Sequence, residues 1–361
     1  MTNPYHKIAS FQLWRRAVSR VEPFDINPAV NPRFQISSTD RVATAGSCFA
    51  QHISRRIAKI GFNYYCPEHD DSLSAEEAVK QNYGVFSARY GNIYTVQQLN
   101  QLFGEAVLGK EKHESVWKKG DAFFDPYRPN IFPQGFATEL AVKEERGRHL
   151  ACVRQIFEQS DIFVFTLGLT EGWRSQVDGS VFPLAPGVAA GSFDSALHEF
   201  HNFTIDETRS ELFEFLTNLK RFNPGVRVLL TVSPVPLIAT FEDRHVLTST
   251  VYSKSVLRVA AQEAYDAFPF VDYFPSYEII TGSPTCGMYF EDDMREINAR
   301  GVSHAMRCFM AAYASAEGTP APATSEADEQ YFSDQKKASE IVCDEEEIEK
   351  SLVSKLKFWG K

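Results

Sequence analysis

The stretch RVATAGSCFAQHISRRIAKIG, residues 41–61, holds a serine hydroxyl on a sharp turn. The apolar run at 42–45 predicts a strand and Gly46-Ser47 a tight turn. Phe49, Ile53, Ile57 and Ile60 then predict an amphipathic helix stopped by Gly61. A hydroxyl at the carboxyl end of such a strand lies where open α/β sheets bind their ligands. The chemistry open to it is attack on an acyl carbon, with the helix N-terminus favouring the negative charge that develops. Capping the helix is the plainer role for Ser47. A serine nucleophile also needs a base, an oxyanion hole and a group to orient the base.

The string Gly46-Ser47-Cys48-Phe49-Ala50 resembles the signature of the GSCFA domain family, which is similar to the SGNH/GDSL hydrolases. By the order of its motifs the resemblance covers roughly residues 1–315. It implies a site assembled from four sequence blocks, with Ser47 as the nucleophile. In the second block Gly91, followed by Asn92, matches the glycine whose N–H joins that of Ser47 in the oxyanion hole. The third block reads Gly168-Leu169-Thr170, so a threonine with a shorter reach stands where the family pattern has a donating asparagine. The last block is expected as Asp-x-x-His and reads Asp293-Met294-Arg295-Glu296. Asp293 is in place, but Glu296 replaces the histidine base, and a carboxylate deprotonates serine poorly unless burial raises its pKa.

Two histidines offer alternatives to Glu296. His245 falls in a polar loop that leaves a strand's carboxyl end, on the same rim as Ser47. His304 lies about 9 Å along the last helix from its cap. His52 shares a helix with Ser47 and points away from the turn. The resemblance implies a serine esterase or O-acyltransferase, with carbohydrate or polysaccharide esters as a substrate class. The altered last block leaves a rival reading: a pseudo-hydrolase that binds glycans or other ligands without catalysis.

Positioning these residues takes a large α/β domain. The chain has 361 residues and 43% hydrophobic content, enough for a substantial core. Near-continuous apolar strands at 161–167 and 226–232 are the kind a parallel sheet buries on both faces. Residues 62–66 read as the second strand and 271–280 as containing another. Helices are expected at 11–21, 142–159, 207–222, 253–268 and from 299 to about 314, with one capped by Thr95. The aromatic, proline-rich stretch 113–142 and the segment from 168 to about 200 read as insertions with hairpin character. Alternating strands and helices predict a three-layer α/β/α sandwich with a mainly parallel, flavodoxin-like sheet over residues 1–315. A disordered acidic linker is expected at 316–343. An amphipathic helix that can bind a partner follows at 344–361, with Ile348, Leu352, Leu356 and Trp359 on one stripe.

Composition narrows the ligands. With 37 basic against 47 acidic residues, the net charge of −10 argues against nucleic acid. No apolar run reaches the length of a membrane span, and the first twenty residues lack a signal-peptide core. The six cysteines are widely spaced without a CxxC pair, which predicts reduced thiols and a cytoplasmic protein with no metal site. With no phosphate-cradling glycine loop either, no cofactor is expected.

Overall fold

A computed structural model describes residues 3–47, 49–59, 61–314 and 347–348. The expected linker at 316–343 lies outside the described residues, as does the helix expected at 344–361 apart from Glu347 and Ile348. A short helix, α1 (Trp14–Ala17), precedes β1 (Val42–Gly46), which runs through the Ser47 turn into α2 (Ala50–Lys59). Next come α3 (Ala75–Lys80), α4 (Val96–Leu108), a hairpin of β2 (Trp117–Lys119) and β3 (Ala122–Phe124), and the long α5 (Glu139–Gln159). After β4 (Ile162–Leu167) the chain forms β5 (Glu171–Ser175), β6 (Val181–Phe182) and β7 (His198–Asn202). Helix α6 (Ile205–Phe222), β8 (Arg227–Val232), α7 (Val246–Ala267), β9 (Val271–Tyr273), α8 (Ser276–Thr281) and α9 (Ala299–Tyr313) complete the domain.

The central sheet is parallel in the order β1-β4-β8-β9. Alternation along its strands divides the core, because successive side chains point to opposite faces. Phe163, Phe165 and Leu167 pack with Leu99 of α4, Ile156 of α5, Leu216 of α6 and Leu257 of α7. Ile162 and Val164 face the other way, onto Ile53 of α2, Ile279 of α8 and Phe309 of α9. The result is a three-layer α/β/α sandwich with the flavodoxin-like parallel sheet expected from sequence.

Three elements depart from expectation: the helix expected at 11–21 is confined to α1 at 14–17, and the second strand and α7 differ for local reasons. The second strand shrinks to one parallel bridge, Val42 to Tyr64, alongside β1, with Val42 N donating to Asn63 O and Tyr65 N to Val42 O. Pro67 lies just beyond and cannot donate to a ladder. The strand at 271 ends after three residues because Pro275 turns the chain into α8. Helix α7 starts seven residues earlier than expected, with His245 as its N-cap.

The two insertions pack on each other through Trp117, Phe124, Tyr127 and Phe182. Beneath them runs a buried chain of charges. Arg89 pairs with Glu145 (2.6 Å), which pairs with Arg128, which pairs with Asp125 (2.8 Å). Arg146 links Asp125 (3.0 Å) to Glu105 (2.6 Å), and Lys112 closes the far end on Glu105 (2.7 Å). Alongside, Glu68 accepts from Arg89 N (2.7 Å) and contacts His149 (2.8 Å). Burial alone would raise the Asp125 pKa, but Arg146 and Arg128 outweigh it and hold the carboxyl well below the ordinary range. Burial likewise opposes ionisation of Glu68, and contacts with His149, Arg128 and the Arg89 N–H bring it down to about 2.

Because the unfolded chain protonates these carboxyls near pH 4 and the folded one does not, their contribution is complete above about pH 4.5. It is lost as pH falls toward about 2. Urea unfolding should therefore show a midpoint that drops steadily below about pH 4.5; a midpoint unchanged between pH 6 and pH 3 would contradict the role given to this network.

Candidate active site

The turn that presents Ser47 begins with a glycine because nothing else fits. Gly46 has φ +132°, and a Cβ there would lie 2.3 Å from the Thr166 carbonyl oxygen of β4. The two strand ends are thus in backbone contact, and Ser47 N donates to Thr166 O at 3.2 Å. Ser47 itself is 3% exposed, and its Oγ has no hydrogen-bond partner among the described residues. The capping role is not realised: Ala50 N donates to the Ser47 backbone oxygen, at 2.8 Å, and not to the hydroxyl. Leaving a hydroxyl buried and unsatisfied costs about 1–3 kcal/mol, so the position calls for an explanation other than stability.

Two loops close over this turn. Ile93 N donates to Gly46 O (2.9 Å), which brings the buried Asn92 one residue from the end of β1, just after Gly91 in a left-handed turn (φ +67°). After β4, Gly168 N and Leu169 N both donate to Tyr94 O at 3.0 Å. A Cβ on Gly168 would lie 3.1 Å from Ser47 Cβ, so the bare face of this glycine rests on the serine. From behind, α7 holds the loop: Lys254 Nζ donates to Gly168 O (2.5 Å) and Thr170 N donates to Ser253 Oγ (2.9 Å). Lys254 is 2% exposed. The first three sequence blocks therefore converge, Ser47, Gly91-Asn92 and Gly168, with Lys254 as an unforeseen fourth member.

The hydrogen-bond donors are placed differently from expectation. Ser47 N and Gly168 N are engaged with carbonyls, as given above. Thr170 turns away from Ser47, its hydroxyl donating to Asn202 Oδ1 of β7 (2.7 Å), while Asn202 Nδ2 donates to Glu242 (3.0 Å). Asp293 is exposed, and its Oδ1 accepts from Arg295 N and Glu296 N, closing a turn around Met294 at φ +57°. The Glu296 side chain is exposed on the same turn.

The histidines are occupied elsewhere. His245 is exposed, and its Nδ1 accepts from Leu247 N (3.1 Å), about 13 Å along α7 from Lys254 at 1.5 Å per residue. His304 is buried between Tyr289 OH (2.7 Å) and Ile26 O (2.8 Å), and burial pushes its pKa down. His52 packs against Phe49, and burial, with Arg55 nearby, lowers it to about 3.

The sequence model of the GSCFA family matches residues 41–309. The chain belongs to the GSCFA family. No curated protein matches it. Among solved structures it is similar to a protein from Parabacteroides merdae described as a "putative GDSL-like lipase", at 13% identity and a TM-score of 0.27. That similarity covers 58% of this chain and 91% of the other.

Seen in this GSCFA domain, the signature is largely a packing motif. Gly46 meets Thr166, Phe49 is 1% exposed and Ala50 is fully buried. Ser47 is the member whose side chain packing does not explain; Cys48 lies outside the described residues. Among those described, no group of three or more His, Cys, Asp or Glu side chains is arranged to hold a metal ion, and no helix is long and apolar enough to cross a membrane. Lys254 had a legible signal. It sits at the head of the apolar stripe Leu257, Ala261, Ala264 and is the one charge on that buried face.

Replacing Gly46 by alanine should cost at least about 3 kcal/mol, since it combines a forbidden φ with a backbone clash. Gly225→Ala, where the added methyl meets only Asn223 Oδ1 at 3.7 Å, serves as the control and should stay within about 0.5 kcal/mol. Equal unfolding midpoints for the two variants would sink the close-approach argument.

Proposed function

We propose that this GSCFA domain is a serine-dependent acyl-ester enzyme, a hydrolase or an O-acyltransferase, with Ser47 as nucleophile. The observation that carries this reading is the buried Ser47 hydroxyl at the carboxyl edge of the parallel sheet, unpartnered among the described residues. Catalytic nucleophiles are one class of group kept at such a cost. In the reaction the Ser47 Oγ–acyl bond forms as the ester C–O bond breaks. The serine proton passes by way of a base to the departing alkoxide. Water or a second hydroxyl then takes the acyl group.

The surroundings suit an oxyanion electrostatically. The N-terminus of α2 lies just beyond Ser47, and Lys254 Nζ donates to the carbonyl of the glycine packed on it. Asn92, buried beside the turn, carries an amide able to donate. Gly168 and Tyr94 must move aside for substrate to reach Ser47, since the hydroxyl is closed off in this conformation. By their place in the last block Glu296 is the base and Asp293 its orienting group, and their turn must then close on the serine. Esters of carbohydrates fit the family resemblance as substrates.

A second reading, a ligand-binding module without catalysis, draws on a specific observation. Glu296 and Asp293 are exposed, and His245 and His304 are bonded elsewhere. A fluorophosphonate probe separates the two. Under the enzymatic reading the folded protein labels, Ser47→Ala abolishes labelling, and Glu296→Gln slows it by about 10²-fold or more, the usual range for loss of a general base. Folded protein that never labels supports the binding module.

A further inference from the structure

Leaving β4, the chain passes from Gly168, packed on Ser47, to Leu169, which lines a cavity of about 290 Å³. This volume falls near the small end of ligand pockets. Tyr94, whose carbonyl binds both Gly168 and Leu169, is a shared wall. The remaining lining is mainly apolar, with Trp173, Phe182, Leu184, Phe200, Leu237 and Phe241 contributing most of the large side chains. One carboxyl enters it, that of Glu171, and it is tied to the wall: Oε1 accepts from Thr240 Oγ1 (2.7 Å) and Oε2 from Phe241 N (3.3 Å). Burial pushes this carboxyl up. Glu171 thereby fixes the 240–241 loop, and it leaves the apolar surfaces as the recognising elements.

The remaining wall comes from the far end of the sequence. Ile348 lines the same cavity as the aromatic cluster in which Phe241 packs on Trp173 (4.9 Å between ring centroids) and Phe200 (5.3 Å). Phe241 is 67% exposed, so part of the cavity's apolar lining faces solvent. A branched aliphatic side chain from this protein's own C-terminal region is therefore what completes the pocket, and space remains inside it.

The geometry points to this cavity as the subsite for an apolar chain, a short aliphatic or aromatic acyl group, with Ile348 supplying one of its walls. Placing that chain on the acyl side of an ester rests on the Ser47 reading; binding of the chain does not.

The test uses full-length protein and bromohexanol, a short chain whose bromine quenches a tryptophan it touches. Quenching should vanish in Trp173→Phe and persist in Trp14→Phe, whose indole is 66% exposed elsewhere. In Ile348→Asn the half-quenching concentration should rise about tenfold, the loss expected for one buried aliphatic contact. Ser47→Ala should quench like the parent, which keeps this outcome separate from the fluorophosphonate result. Quenching that survives Trp173→Phe, or an equal or lower half-quenching concentration in Ile348→Asn, overturns the assignment.

Discussion

The contact between Gly46 and the Thr166 backbone is the constraint on which the site depends. A side chain at 46 would collide with the carbonyl of β4, so β1 can end beside β4 only if its last residue carries none. That contact fixes where Ser47 leaves the sheet and at what angle α2 begins. It also places Ser47 beneath Gly168, because the residue two positions beyond Thr166 returns over the same turn. A second glycine is required there for the same steric reason. The nucleophile candidate is held by two bare backbones and a lysine bonded from behind, and among the described residues no side chain bonds its own hydroxyl.

The loop that brings Asn92 to this turn has a different kind of support. Arg89, three residues upstream, reaches Glu145, the Gln81 and Ile131 carbonyls and, through its backbone, Glu68. Its own carbonyl accepts from Arg128. Removing one partner from such a buried network strands a charge, at a cost of about 3–5 kcal/mol, whereas an apolar replacement of the whole is often neutral. The network is thus weak evidence for stability and better evidence for a fixed loop position. Along with Asn92 it orients Tyr90, Ile93 and Tyr94, all buried, and Tyr94 O is the acceptor that organises Gly168 and Leu169.

Much of the architecture was legible in the sequence because it follows from short-range rules. Apolar runs at 161–167 and 226–232 became buried parallel strands, and Thr95 caps the helix that follows it. The convergence of Ser47, Gly91-Asn92 and Gly168 was expected from the family resemblance; Ser47 and Gly168 share a rim because each follows a strand of the parallel sheet, whereas Gly91-Asn92 lies in the loop ahead of α4. What the sequence did not convey was the direction of individual side chains. Thr170 turns to Asn202 because β7, an inserted strand, offers an acceptor there. His245 became a helix cap because α7 starts earlier than its apolar stripe suggests. The Asp293–Glu296 turn satisfies itself through local backbone N–H groups. Only the first of these is decided by a neighbour from elsewhere in the chain; the other two are settled by nearby backbone N–H groups, and residue spacing encodes none of the three.

Pairing between the first two long strands carries a kinetic burden. Val42 lies against Ile162, 120 residues later, and the bond that Arg41 N donates to the Asp161 carboxylate spans the same separation. On a ribosome adding about 5–20 residues per second, β1 emerges roughly 6–24 s before its partner exists. During that interval Val42 to Gly46 is an apolar edge without a ladder, and early in it the two insertions that will shield the rim have yet to be made. Delayed pairing of this kind leaves an apolar strand open to misassociation while the rest of the chain is made.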